Sequence, residues 1–297
     1  MGPGLSPSVT DRMMSESAAS PSFDGSVPLG IRWTIGAVSL RGFEALRLSI
    51  CGAFGVFGPA AAYAVYVNSV PVDEARRRTG PVPQAVRWLE APREIPRILR
   101  RHLDAGMAEG VAWKLLPLSA FAGRFELALD NDVILWDEPE AIRRWRMDRT
   151  GACLVAEDVA PAHGAFAELC GPELRNSGIR GTPPEFQLEH ALARVLSRVP
   201  ARLHSELDEQ GMQIAALSLA RPPLCVSARE VTICSPFYPH QAHLGTCGAH
   251  FVGLNAHELP WRYYDRPATE VRIEHWEQQR PEIYRRVGIS PWPEAGS

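Results

Sequence analysis

Between Leu48 and Val72 the chain carries no charged residue. A stretch of that length either crosses a bilayer or is buried inside a protein. Composition decides between the two. Gly52, Gly55, Gly58 and Pro59 interrupt its first half, and Asn68 and Pro71 close its second. The spacing predicts a helix ending near Leu46–Cys51, a glycine-rich turn and a buried strand over Ala61–Val67. A strand that is apolar on both faces belongs in a parallel sheet covered by helices on either side.

The rest of the chain repeats this alternation. Strands are predicted at Ile31–Val38, Phe125–Leu129, Ala152–Ala156, Val231–Ser235 and Ala249–Val252. Helices are predicted at Arg41–Ile50, Pro92–Ala105, Glu138–Trp145, Pro184–Ser197, His204–Leu217 and Glu270–Arg286. In the second of these, Pro96 lies in the first turn and Ile95, Ile98, Leu99 and Leu103 form an apolar stripe. Strands alternating with helices indicate an α/β fold with a mostly parallel central sheet flanked by helices. No internal repeat or linker divides 29–265. Residues 1–28, rich in Ser, Pro and Gly, read as a disordered leader, with Met13 or Met14 as an alternative start. Residues 266–297 read as a C-terminal helical tail that docks on its own domain, on a partner chain or on a membrane surface.

With 297 residues, 45% of them apolar, the chain can bury one large core. A formal charge of −3 offers no field for a polyanion. Arg76-Arg77-Arg78 and Arg100-Arg101 lack interleaved aromatics and read as solvated helix faces, so no nucleic-acid partner is expected. The six cysteines, Cys51, Cys153, Cys170, Cys225, Cys234 and Cys247, form no paired motif. They read as reduced, mostly buried thiols of a cytoplasmic protein.

In an open α/β sheet, ligands bind beyond the carboxyl ends of the strands. Phe125–Leu129 delivers Asp130-Asn131-Asp132 to such an end. Residues two apart in an extended segment face the same side, so Asp130 and Asp132 can meet one ion. Two carboxylates suit Mg²⁺ or Mn²⁺, which often complete their shells with phosphate oxygens. Taken alone, Asp-x-Asp is common and more often a polar turn closing a strand.

Five short elements in order share one resemblance: Lys114-Leu115, Asp130-Asn131-Asp132, Asn176-Ser177-Gly178, Asp208-Glu209-Gln210-Gly211, and His250-Phe251-Val252-Gly253 ending in Leu259-Pro260-Trp261. Gly36-Ala37 after the first strand adds to them. Together they resemble the glycogenin-like, family 8 glycosyltransferases of GT-A fold, over roughly Ile31 to Trp261. The resemblance implies a GT-A-type, Rossmann-like domain and a nucleotide-diphospho-sugar donor of UDP type. It implies a glycan, protein or small-molecule acceptor, and retention of anomeric configuration. It places Asp130, Asp132 and His250 on Mn²⁺ or Mg²⁺, and Lys114, Asn131, Asn176, Ser177 and Gly253 on the donor. Glu209, with Asp208 and Gln210 beside it, faces the transferred sugar. Two positions depart from the family pattern. Glu209 stands where the family has an aspartate, with Asp208 as an adjacent alternative. Leu259 stands where the family has a lysine that neutralises the diphosphate, a role left to Lys114 or Arg262.

Other readings stand beside this one. His250 alone reads as a core histidine, and His240, His243, Cys247 and His250 read as a zinc cluster of a metal hydrolase. Asn176-Ser177-Gly178 reads as a plain turn. Asp208-Glu209 reads as first-turn acidic residues complementing a helix dipole. Trp136 and Trp261 read as core or pocket-wall packing. A GT-A-like module that binds nucleotide-sugar without transferring it fits the two departures.

Overall fold

The computed structural model describes residues 1–2, 28–103 and 114–292. The predicted leader, the end of the predicted Pro92–Ala105 helix and the residues just before Lys114 lie largely outside them.

The main sheet is built from β1 (Leu29–Ile35), β2 (Ala62–Val67), β3 (Val86–Glu90), β4 (Phe125–Leu129), β6 (Leu154–Glu157), β7 (Arg175–Thr182) and β8 (Leu224–Val226). Its order is β3-β2-β1-β4-β7-β6-β8. β7 pairs antiparallel with both neighbours and every other pairing is parallel, so β7 alone runs against the rest. A second sheet, β5-β10-β9, joins β5 (Val133–Leu135), β9 (Val231–Ile233) and β10 (Gly248–His250). A hairpin of β11 (Arg262–Tyr263) and β12 (Arg266–Pro267) precedes the tail. Strand order turns back between β1 and β4, since β1 leads on to β2 and β3 on one side while β4 lies on the other. Such a switch point is where open α/β sheets bind ligands, beyond the carboxyl ends of the strands.

The helices are α1 (Leu40–Phe57), α2 (Val72–Thr79), α3 (Arg97–Arg100), α4 (Glu140–Met147), α5 (Ala167–Cys170), α6 (Leu188–Arg198), α7 (Glu206–Leu217) and α8 (Ala268–Val287). The uncharged stretch is split as read, but later: α1 continues through Gly52 and Gly55 to Phe57. Gly52 is there for packing. A Cβ at 52 would collide with the Leu135 carbonyl, so glycine lets α1 lie directly on β5. Ser49 ties the two layers, accepting from Trp33 Nε1 at 2.8 Å and donating to the Val133 carbonyl at 2.5 Å. The predicted Pro92–Ala105 helix starts later, at Arg97 behind the N-cap Pro96, and its described part is a single turn. No helix of the described residues is long and apolar enough to cross a membrane.

The tail docks on its own domain. Trp276, Ile283 and Tyr284 of α8 are buried against Ala45 and Leu48 of α1 and against Ile134, Ala249 and Phe251 of the second sheet. Glu44 on α1 accepts from Trp276 Nε1 (3.2 Å), Arg280 Nε (2.7 Å) and the Tyr284 hydroxyl (2.6 Å). α8 thus backs the small sheet that carries His250.

Candidate metal centre

β4 is buried at every position and ends at Leu129. A tight turn follows, in which the Val133 amide donates to the Asp130 carbonyl at 3.0 Å and the Asp130 amide to the Gly178 carbonyl of β7 at 2.8 Å. The turn carries the chain out of the main sheet and into β5, where Val133 pairs with His250 of β10. One turn joining two sheets therefore brings the acidic motif to the imidazole. Glycine at 178 makes the room, because a Cβ there would strike the His250 ring.

Ligand-capable atoms of Asp130, Asp132 and His250 lie within 4.8 Å of one another. Among the described residues no other group of three or more His, Cys, Asp or Glu side chains does so. Asp130 Oδ1, Asp132 Oδ1 and His250 Nδ1 are buried without a hydrogen-bond partner. Buried polar atoms are normally paired. Two carboxylates and an imidazole with ligand atoms this close, each residue keeping an unpartnered buried atom, fit a cation, and carboxylate oxygens with an imidazole are a suitable donor set for Mn²⁺. His250 Nε2 lies 3.4 Å from Asp132 Oδ1, near enough to attract but not aligned as a hydrogen bond.

The remaining lone pairs are organised by neighbours. Asn255 donates to Asp132 Oδ2 at 3.0 Å and accepts from Asn131 Nδ2 at 2.5 Å, and Asn131 also donates to the Gly42 carbonyl at 3.1 Å. Asn131 thus joins the motif to α1. Arg272 of α8 donates to the carbonyls of Gly253 and Ala256, which fixes the loop bearing Asn255. Gly253 adopts a left-handed φ of 81°, a conformation that favours glycine.

Charge converges on Asp130. Lys114 Nζ lies 2.7 Å from Asp130 Oδ2 and 3.8 Å from Glu209 Oε2, and Arg180 Nη2 lies 3.5 Å from Asp130 Oδ1. Burial works against the Asp130 carboxylate, but Lys114, Arg180 and His250 outweigh it and hold the carboxyl below its ordinary range. Burial also works against the His250 imidazolium, yet Asp132 and Asp130 raise its pKa above the usual histidine value. Glu209 is 2% exposed and paired with Gln213. Burial pushes its carboxyl up despite Lys114 and Arg180.

The acidic pair at the start of α7 divides into two tasks. Asp208 closes a capping box with Ser205. Its carboxylate accepts from the amides of Ala165 (2.8 Å), His204 (2.9 Å) and Ser205 (3.0 Å) and from the Ser205 hydroxyl (3.0 Å). It is committed to the helix start, and Glu209 is the carboxylate beside Lys114. Gln210 accepts from the Ser177 amide (3.1 Å) and donates to Asp158 (3.3 Å) and to the Ala162 carbonyl (3.0 Å). Asn176 donates to the same Asp158 carboxylate at 3.1 Å. Asn176-Ser177-Gly178 is therefore part of β7 rather than a turn.

The zinc reading is overturned, because among the described residues His240, His243 and Cys247 do not gather with His250 into a metal-sized group. His240 Nδ1 faces the Phe237 carbonyl at 3.0 Å, His243 Nδ1 faces the Leu244 carbonyl at 3.4 Å, and His250 lies on Asp132. Leu259 donates its amide to Thr269, and Arg262 donates to the Asp265 carbonyl of its own hairpin. Trp136 donates to the Thr246 carbonyl at 2.8 Å, whereas Trp261 is 42% exposed and rests edge-on against Phe237. Three residues near the site escaped the sequence reading: Arg180, Asn255 and Asp158. Arg180 had a signal, since alternation from Gly178 puts it on the same strand face.

No family model matches the sequence, and no curated protein matches it. Among solved structures it is similar to the galactosyltransferase LgtC in complex with donor and acceptor sugar analogs, at 13% identity over 89% of this chain and 98% of that one, with a TM-score of 0.48. It is also similar to mouse xyloside xylosyltransferase 1 in its apo form, at 10% identity over 75% of this chain and 97% of that one, TM-score 0.46. The apo-form glycosyltransferase GlyE of Streptococcus pneumoniae TIGR4 is matched at 12% identity over 88% of this chain and 62% of that one, TM-score 0.46.

Proposed function

We propose that this protein is a GT-A-type glycosyltransferase that moves a sugar from a nucleotide-diphospho-sugar of UDP type to a glycan, protein or small-molecule acceptor, with retention. The observation that carries this reading is the convergence of Asp130, Asp132 and His250, with ligand-capable atoms within 4.8 Å of one another and a buried atom without a hydrogen-bond partner on each, at the switch point of a mostly parallel sheet with Lys114 beside them. Asp130, Asp132 and His250 would hold Mn²⁺ or Mg²⁺, which supplies Lewis-acid stabilisation of the diphosphate leaving group. Lys114 is one-third exposed and offers the diphosphate a second positive charge. Asn176 and Gln210, both fixed on Asp158, form a polar wall for the sugar, alongside Ser177. Glu209 places a desolvated carboxylate where positive charge grows on the anomeric carbon, either stabilising it or attacking it.

A binding module without transfer is the second reading. It is favoured by Leu259, which brings no charge to the diphosphate, and by Lys114, which already contacts two carboxylates. Calorimetry with UDP, with and without Mn²⁺, tests the shared premise. Metal-linked UDP binding that is lost in Asp132→Asn supports it, and metal-independent or absent UDP binding refutes it. A panel of donors scored by released nucleotide then separates the readings. Release or transfer from any donor supports the enzyme, and binding without either supports the module.

A further inference from the structure

Buried charge alternates across the middle of the main sheet. Arg32 on β1 and Arg180 on β7 flank Ala128 of β4 in register, and the small alanine leaves room for two guanidinium groups. Both arginines are buried. Arg32 is fully matched, with its Nε 2.7 Å from Glu126 Oε1. Arg180 is not. Its Nη2 approaches Asp130 Oδ1 only to 3.5 Å, and its Nη1 has no partner. A buried guanidinium without a full partner is costly to keep, so its charge calls for a role beyond local pairing.

The two cations beside Asp130 differ in freedom. Lys114 is one-third exposed and able to turn toward an arriving phosphate. Arg180 is buried and rooted mid-strand on β7, with its guanidinium 3.5 Å from Asp130 Oδ1. A divalent ion at about 2.1 Å from Asp130 Oδ1 would therefore always sit near a fixed like charge. We propose that Arg180 is a positioning residue that holds down the affinity of the acidic centre for a free divalent ion, so that metal binds tightly only together with a diphosphate. This rests on the donor-site reading above. The diphosphate brings the negative charge that Arg180 has already cancelled on Asp130.

The test is nucleotide-free Mn²⁺ titration of the full chain by calorimetry, repeated with saturating UDP. Arg180→Met is expected to bind Mn²⁺ alone about tenfold or more tightly than wild type, the order expected when one like charge is removed at a protein-like effective dielectric. Its gain on adding UDP should shrink by the same factor. Arg180→Lys, which keeps the charge, should return to wild-type behaviour. That rescue is a readout that a merely structural role would not give. Arg180→Gln keeps hydrogen-bonding capacity without charge and stands in if Arg180→Met does not fold. Nucleotide-free Mn²⁺ affinity in the neutral variants that equals or falls below wild type overturns the proposal while leaving the donor site intact. Absence of Mn²⁺ binding in wild type even with UDP overturns both.

Discussion

Asn255→Ala is the sharpest probe of how the centre is held together. The Asn255 amide is the partner of Asp132 Oδ2, at 3.0 Å, and leaves Oδ1 open toward the His250 side. A hydrogen bond to an ionised carboxylate contributes about 1.5–3 kcal/mol, and each factor of ten is about 1.4 kcal/mol. Losing it should therefore weaken Mn²⁺ binding by roughly ten- to a hundredfold, the range typical of residues that orient metal ligands. Asn131→Ala removes only the 2.5 Å contact that orients Asn255 and the bond to the Gly42 carbonyl. Its effect on the metal is indirect and should be smaller, roughly fivefold for about 1 kcal/mol. The assay is Mn²⁺ calorimetry at saturating UDP, with thermal unfolding of each variant to show that the fold persists. A change below about threefold in well-folded Asn255→Ala, or an equal loss in Asn131→Ala, would refute this division of labour.

Three further outcomes follow from the same geometry. Glu126→Leu strands buried Arg32 and frees the amides of Ala120 and Phe121, so it should cost about 3–5 kcal/mol in urea unfolding; Arg32→Met/Glu126→Leu should recover most of that, and a double variant no better than the single one contradicts the pairing. Glu209→Gln should lower turnover at least about a hundredfold, as expected when a carboxylate is lost beside developing positive charge, while UDP affinity stays within a few-fold; an equal fall in both would move Glu209 from the sugar to the donor. The raised pKa of His250 means that its proton is held to higher pH than in an ordinary histidine, and an entering metal must displace it. Mn²⁺ affinity at fixed UDP should therefore rise with pH from the ordinary histidine range upward, and a flat calorimetric profile would exclude His250 as a ligand.

Much of this site was legible because it lies where the chain pattern is simple. Phe125–Leu129 is a short apolar run ending in acid, and it folds as β4 delivering Asp130 to the carboxyl end of the sheet beside His250. Segments rich in glycine and small polar residues misled the reading for one shared reason: glycine occurs where another group needs the space. Gly52 sits in the middle of α1 because the backbone of β5 presses on it. Gly178 and Gly181 sit in β7 because the His250 ring, Trp145 and Leu154 occupy the space of their side chains. Propensity alone makes Asn176-Ser177-Gly178 a turn, whereas packing makes it the strand that seats the imidazole. Asn255 was hidden differently: its task depends on a loop held by Arg272 of α8, and no local spacing encodes that contact.

On the donor-site reading proposed above, the departure at Leu259 acquires an electrostatic meaning once Arg180 is placed. Leu259 removes a positive charge from the side where a diphosphate would lie, and Arg262 is engaged within its own hairpin. Arg180 adds a buried positive charge 3.5 Å from Asp130 Oδ1, where it offsets the carboxylate. On that reading the positive charge is displaced from the phosphate side of the site to the floor beside Asp130. A cation on the floor weakens the carboxylates' hold on a metal, and a missing cation at the mouth leaves the diphosphate more dependent on that metal. Each partner is then poorly held alone, and each supplies the charge that the other lacks. On this arrangement Lys114 becomes the hinge of the site, since it is a one-third-exposed cation that contacts both Asp130 and Glu209 and, on the donor-site reading, would trade them for phosphate oxygens.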